Sequence, residues 1–124
     1  MKFKDVLNTY ICSLSNLKQR YHRALISKEY FEGAIDFNFC WFQECKTECE
    51  EKCYKLENDV LHYRGHIYPI QTDEEGQQIY ITLENGKEIV GGSFNFDPYL
   101  YFTREIDSYF QEEFLNSKMG NILL

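Results

Sequence analysis

Residues 3–24 read FKDVLNTYICSLSNLKQRYHRA, with apolar side chains at Phe3, Leu7, Tyr10, Leu14, Leu17, Tyr21 and Ala24. Alternating steps of four and three carry one stripe down a helix, the seam of a helix packed lengthwise on another. The spacing predicts a helix from Phe3 to Leu25, with Asp5 near its positive end and Arg20 and Arg23 near its negative end. The connector Ile26-Ser27 is short, so a second helix must return antiparallel, with Ser27 as its N-cap.

That second helix is expected to span Lys28 to Glu57, with a kink near Gly33 or Asn38. Its first half is apolar on two sides, Phe31, Ile35 and Phe42 on one and Phe37 and Trp41 on another, which predicts cover on both. Its second half is charged except along Cys45, Cys49, Cys53 and Leu56, and is expected to be more exposed. Residues 1–58 thus form a helical hairpin.

The pattern then changes period. Val60 to Gln71 reads as extended, with Pro69 suited to an edge or strand end. Asp73-Glu74-Glu75-Gly76 is a turn, and residues 78–84 alternate, placing Ile79, Ile81 and Leu83 on one face. Asn85-Gly86 is a hairpin signal in which both positions are expected at positive φ. The return strand runs from Lys87 to about Phe94, with a bulge at Gly91-Gly92 and a further extended piece over 93–96. Asp97-Pro98 starts a turn or a helix, and Thr103 is the better N-cap for a last helix from Arg104 to Ser117, striped by Ile106, Tyr109, Phe110 and Phe114. The apolar tail Ile122-Leu123-Leu124 is expected to dock on the body or meet a partner. The fold class is α+β in one domain, 1–124: hairpin, an antiparallel sheet of three to four strands over 60–96, and a helix over 103–117.

The chain has 124 residues and a net charge of −7, unevenly laid out: +5 over residues 1–28, −6 over 29–62 and −6 over 63–124. Such a balance disfavours direct nucleic-acid binding, which depends on cationic contacts to phosphate, and favours a basic protein surface as partner. Ten Tyr and ten Phe stand against one Trp and two Met, and surplus Tyr suits contact surfaces. No apolar run reaches the roughly 18 residues that span a bilayer. Five cysteines without a signal peptide point to a reducing cytoplasm and free thiols.

One constellation could carry chemistry. On a continuous helix Cys45, Cys49 and Cys53 share a face, neighbours about 6 Å apart. Cys49 and Cys53 with His62 and His66 give Cys-x3-Cys-x8-His-x3-His, a loose echo of a structural zinc site with a short middle spacer. The competing reading is stronger: the three thiols continue the stripe of Phe31, Ile35 and Phe42, as core cysteines do. The sequence has no phosphate-cradling Gly loop, no Gly-x-Ser-x-Gly elbow and no His-Glu-x-x-His, and its carboxylate runs suit solvated faces. It therefore predicts a non-enzymatic binding module without cofactor. The physical type is that of small acidic immunity or phage counter-defence inhibitors, which occlude a basic or nucleic-acid-binding surface of a target. Two faces qualify: Tyr68, Tyr80 and Glu84 on the sheet, and Glu44, Glu48, Glu50, Glu51 and Glu57 along the second helix. The alternatives are a zinc- or thiol-dependent regulatory module and a homodimerising structural subunit.

Overall fold

The structure is a computed structural model and describes residues 1–91 and 97–117. The α+β class is the one observed, with helices packed together at the N-terminus, two small antiparallel sheets and a C-terminal helix. The chain divides into two compact units, one of Met1–Cys53 with Phe110–Leu124 and one of Tyr54–Tyr109.

In the first unit α1 spans Phe3–His22 and α2 spans Lys28–Glu48. Tyr10 lies flat on Phe42 with ring centroids 4.4 Å apart, and Tyr21 on Phe31 at 4.5 Å, so the helices run antiparallel as the short connector requires. Val6, Leu14, Leu17, Ile35, Cys45 and Phe114 complete this core. Lys18 is buried beside them, its ammonium 4.7 Å from the Phe114 ring centroid and donating to the carbonyls of Phe114 and Ser117 at the end of the last helix. The Phe114 carbonyl also accepts the Ser117 amide at 3.3 Å, and a cation at this end of the helix adds a donor to its last carbonyls and suits the helix dipole.

Helix α1 stops three residues earlier than Leu25. The Leu25 amide donates to Arg20 O (2.9 Å) and the Ala24 amide to Tyr21 O (3.0 Å), the paired bonds of a Schellman cap, with Ala24 at φ 55°. A non-glycine residue in this left-handed position costs roughly 1–2 kcal/mol. Ala24→Gly is expected to raise stability by up to about 1 kcal/mol, read as a higher denaturation midpoint.

Ser27 caps α2 as expected, accepting from the Tyr30 amide at 3.1 Å. The helix passes Gly33 and Asn38 unbroken but ends at Glu48, so the predicted extension to Glu57 is corrected. Neither Gly nor Pro stops it. Glu44, Glu48, Glu50 and Glu51 crowd carboxylates onto the negative end of the helix, where they oppose its dipole. Cys49 instead turns extended, at φ −67° and ψ 145°. The predicted layering of α2 also differs. Phe37, expected under cover, is 70% exposed, whereas Cys45 and Lys46 in the far half are buried.

In the second unit the predicted single sheet of three to four strands is two sheets of three. Strands β1 (Lys55–Glu57), β2 (Val60–Tyr63) and β3 (His66–Pro69) form one; β4 (Gln71–Thr72), β5 (Ile79–Thr82) and β6 (Glu88–Gly91) form the other. Only Ile70 separates β3 from β4, and its amide bonds Asp59 O at 2.8 Å, so one extended run serves both sheets. The first two hairpins turn on Asn58-Asp59 and Arg64-Gly65, all four residues at positive φ. At Asn85-Gly86 only Gly86 is in that region; the Gly86 amide bonds Leu83 O, and the loop is a type I turn closed by Gly86. Ile81 and Leu83 are buried and Ile79 is half-buried, as the alternation requires.

Helix α3 spans Pro98–Asn116, six residues longer at its start than predicted. Asp97 is its cap: one carboxylate oxygen accepts the Leu100 amide at 3.0 Å, and Pro98 fills the first helical position, where no amide is needed. Thr103 lies inside the helix, its hydroxyl turned back onto Leu100 O at 2.6 Å. The Tyr54 hydroxyl also donates to Asp97, at 2.8 Å. Asp97→Ala is expected to cost about 1–2 kcal/mol, and Asp97→Asn less, because the amide retains the acceptor. Gly91 stays in register opposite Ile79, so it is not bulged. A Cβ there would meet Phe102 and Pro98 at 3.1 Å, so the missing side chain lets α3 pass close by. Gly92, the expected piece over 93–96 and the tail over 120–124 lie outside the described residues.

Candidate interaction surface

Four of the predicted acidic residues fall on one stretch of the first unit. Glu44 and Glu48 are exposed on the last turns of α2, and Glu50 and Glu51 are exposed just beyond it. The Glu50 carboxylate lies 3.6 Å from the N-terminal ammonium, and its amide donates to Met1 O. Glu57 does not join them. It belongs to β1, in the other unit, where its carboxylate meets Lys55 at 3.3 Å. The correction follows from the helix end at Glu48.

The proposed face of Tyr68, Tyr80 and Glu84 is not assembled as such. Tyr68 is 2% exposed, and its hydroxyl donates to the exposed Glu84 carboxylate at 2.7 Å. A buried ring whose one polar atom is already bonded cannot serve as a surface anchor, so Tyr68 is corrected to a core residue. Tyr80 is half-buried on β5 opposite Val90. Burial, then the hydrogen bond and charge of Glu84, hold the Tyr68 hydroxyl well above the ordinary tyrosine range. A group whose folded value is raised contributes stability in full below its unfolded value of about 10 and loses it as pH rises past that point. Wild type is therefore expected to weaken above about pH 10, and Tyr68→Phe to show a shallower alkaline slope in denaturant titrations at stepped pH.

The thiols divide likewise. Cys45 is buried beside Phe42, and burial, followed by Glu48, Cys49 and Glu44, pushes its thiol up. A thiol held in its neutral form is a weak nucleophile and a poor ligand. Cys49 is half-buried at the helix end, its Sγ donating to Cys45 O at 3.2 Å. Cys53 lies beyond the helix, so Cys45, Cys49 and Cys53 do not share one helical face. His62 and His66 stand on β2 and β3, where His62 pairs with Ile67 and His66 with Tyr63. His66 Nδ1 is 3.8 Å from the Glu84 carboxylate. Among the described residues no three His, Cys, Asp or Glu side chains form a group that could hold a metal.

Two features had no place in the sequence reading. One is a buried polar cluster in the second unit. Asp107, fully buried, accepts the Tyr63 hydroxyl at 2.8 Å and Arg64 at 2.9 Å, the Arg64 side chain being only 3% exposed. The only hint was Arg64-Gly65 between two extended pieces, a turn that aims the guanidinium back over the strands.

The other is a groove of about 670 Å³ along the outside of the helical hairpin. Asn16, Cys12 and Arg20 of α1 form one wall and Tyr30, Phe37 and Asn38 of α2 the other. Tyr30 is 56% exposed, so two aromatic rings, with Phe37, stand in solvent at the groove. Their spacing of seven residues puts them on one stripe of α2, followed by Glu44. No protein-family model, no curated protein and no solved structure matches the chain.

Proposed function

We propose that this chain acts by binding a protein, as an inhibitor that covers a basic surface of its target with the carboxylates at the end of α2. The observation that carries the reading is the placement of Glu44, Glu48, Glu50 and Glu51, all exposed within one turn and its continuation. Carboxylates so grouped attract a cationic surface from a distance and take the positions that phosphates would occupy on it. The chain's net charge of −7 adds to the same field. Cys45, a neutral buried thiol, favours this binding reading over a thiol- or zinc-dependent one.

Capture from a lysate of the protein's own host tests it. A basic protein should be retained at about 50 mM salt and released at about 500 mM, because surface attraction fades as the screening length shrinks. Retention indifferent to salt, or of acidic proteins alone, would contradict the reading. No helix among the described residues is long and apolar enough to cross a membrane.

A further inference from the structure

We infer that the outer groove of the helical hairpin binds a free nucleotide, with the base on Phe37 and the phosphate on Arg20. The stacked pairs Tyr10–Phe42 and Tyr21–Phe31 fix the alignment of α1 against α2, and on it Phe37 stands level with Ser15. Asn16 of α1 and Asn38 of α2 then lie one residue to either side of Phe37, about 1.5 Å along the helices. Arg20 lies about 7.5 Å from the Phe37 level, and Tyr30, level with His22, about 3 Å beyond Arg20. All five side chains line the groove.

An exposed ring flanked by two carboxamides suits a flat heterocycle that stacks on the ring and hydrogen-bonds along its edge, as a nucleobase does. Asn38 already donates from Nδ2 to Ala34 O at 2.7 Å, so Oδ1 is left to accept from a base amino group. The interval from Phe37 to Arg20 is one that a ribose and the reach of the guanidinium bridge, and the guanidinium fork matches a phosphate. Charge points the same way. Among the described residues no carboxylate lines the groove, and Arg20 is its one formally charged side chain. Glu44 is exposed and level with Asn8, about 18 Å from Arg20, so the field along the groove holds the phosphate at the Arg20 end. A longer strand would carry further phosphates toward Glu44, which a single nucleotide avoids. The volume of about 670 Å³ falls within the roughly 300–1,000 Å³ of small-molecule sites. Glu48, Glu50 and Glu51 do not line the groove, so the inference is independent of the inhibitory reading.

Calorimetric titration of the full chain with AMP, GMP, CMP and UMP, beside the matching nucleosides and inorganic phosphate, tests the inference. At least one nucleotide should bind with a Kd of about 0.1–1 mM, as one stack and one charged contact in an open groove allow. Phe37→Ala should weaken that nucleotide about tenfold, and Arg20→Gln should reduce it to the affinity of its nucleoside. Both side chains are exposed, so circular dichroism should show unchanged helix content in each variant. No binding of any of the four at about 5 mM overturns the inference, as does inorganic phosphate bound as tightly as the nucleotide. Affinity unmoved by both variants also overturns it. A single-stranded hexanucleotide bound more than about tenfold tighter than every mononucleotide overturns it as well and assigns the groove to a strand.

Discussion

Asp107→Ala is expected to destabilise the protein by about 3–5 kcal/mol, the cost of stranding a buried cation. The Arg64 guanidinium is 3% exposed and the Asp107 carboxylate not at all, so solvent screens the pair little. Tyr63 loses its acceptor in the same stroke. Tyr63→Phe, which removes one hydrogen bond and leaves the pair, should cost only about 1–2 kcal/mol. Replacing both charges, as Arg64→Met with Asp107→Leu, should cost less than Asp107→Ala alone, because no charge is then left without its counterpart. Urea denaturation of the four proteins decides this. Equal losses for the single and double changes would mean that the pair is not what the fold depends on here.

Phe42→Ala is the second large effect, with an expected loss of about 3–5 kcal/mol. Phe42 is fully buried between Tyr10 at 4.4 Å and Phe3 at 6.0 Å, so truncation empties the centre of the helical hairpin and removes two ring contacts. Tyr10→Phe keeps the stack and loses only the hydroxyl's bond to Gln111, so its cost should be about 1 kcal/mol. A Phe42→Ala loss below about 1.5 kcal/mol would show that α1 and α2 do not depend on this core.

Much of the hairpin was legible because long helices repeat their signal. The seam from Phe3 to Tyr21 predicted α1, and Ser27 predicted where α2 starts. The end of α2 carried no Gly or Pro; the glutamates that end it looked like a solvated face. The turn at Asn58-Asp59 was hidden because neither residue is glycine and both suit a charged helix face, whereas Arg64-Gly65 offered a glycine between extended residues. With Asn58-Asp59 missed, β1 was read as helix and Glu57 joined to the wrong face. Asp97-Pro98 held a full N-terminal signal, yet Thr103 drew the boundary inward because its hydroxyl suits a cap as well as it suits the back-bond it makes.

The candidate surface was legible only in part. The four glutamates near the end of α2 follow from sequence alone, since residues so close in the chain stay together however the helix ends. Tyr68 could not be told from a surface tyrosine, because its partner Glu84 lies across a hairpin. Phe37 was taken for buried because apolar residues on two sides of a helix imply cover on both. Its exposure is what the groove adds to the sequence.

The most direct test of the inhibitory reading is a comparison of wild type with the triple reversal of Glu48, Glu50 and Glu51 to Lys, each used to capture partners from the same host lysate at low salt. All three side chains are exposed, so the variant should keep the fold, with helix content in circular dichroism equal to wild type or slightly higher, because lysines suit the negative end of α2. The account predicts that wild type retains a basic protein and that the variant retains at least tenfold less of it. Equal retention by two equally folded proteins would contradict it.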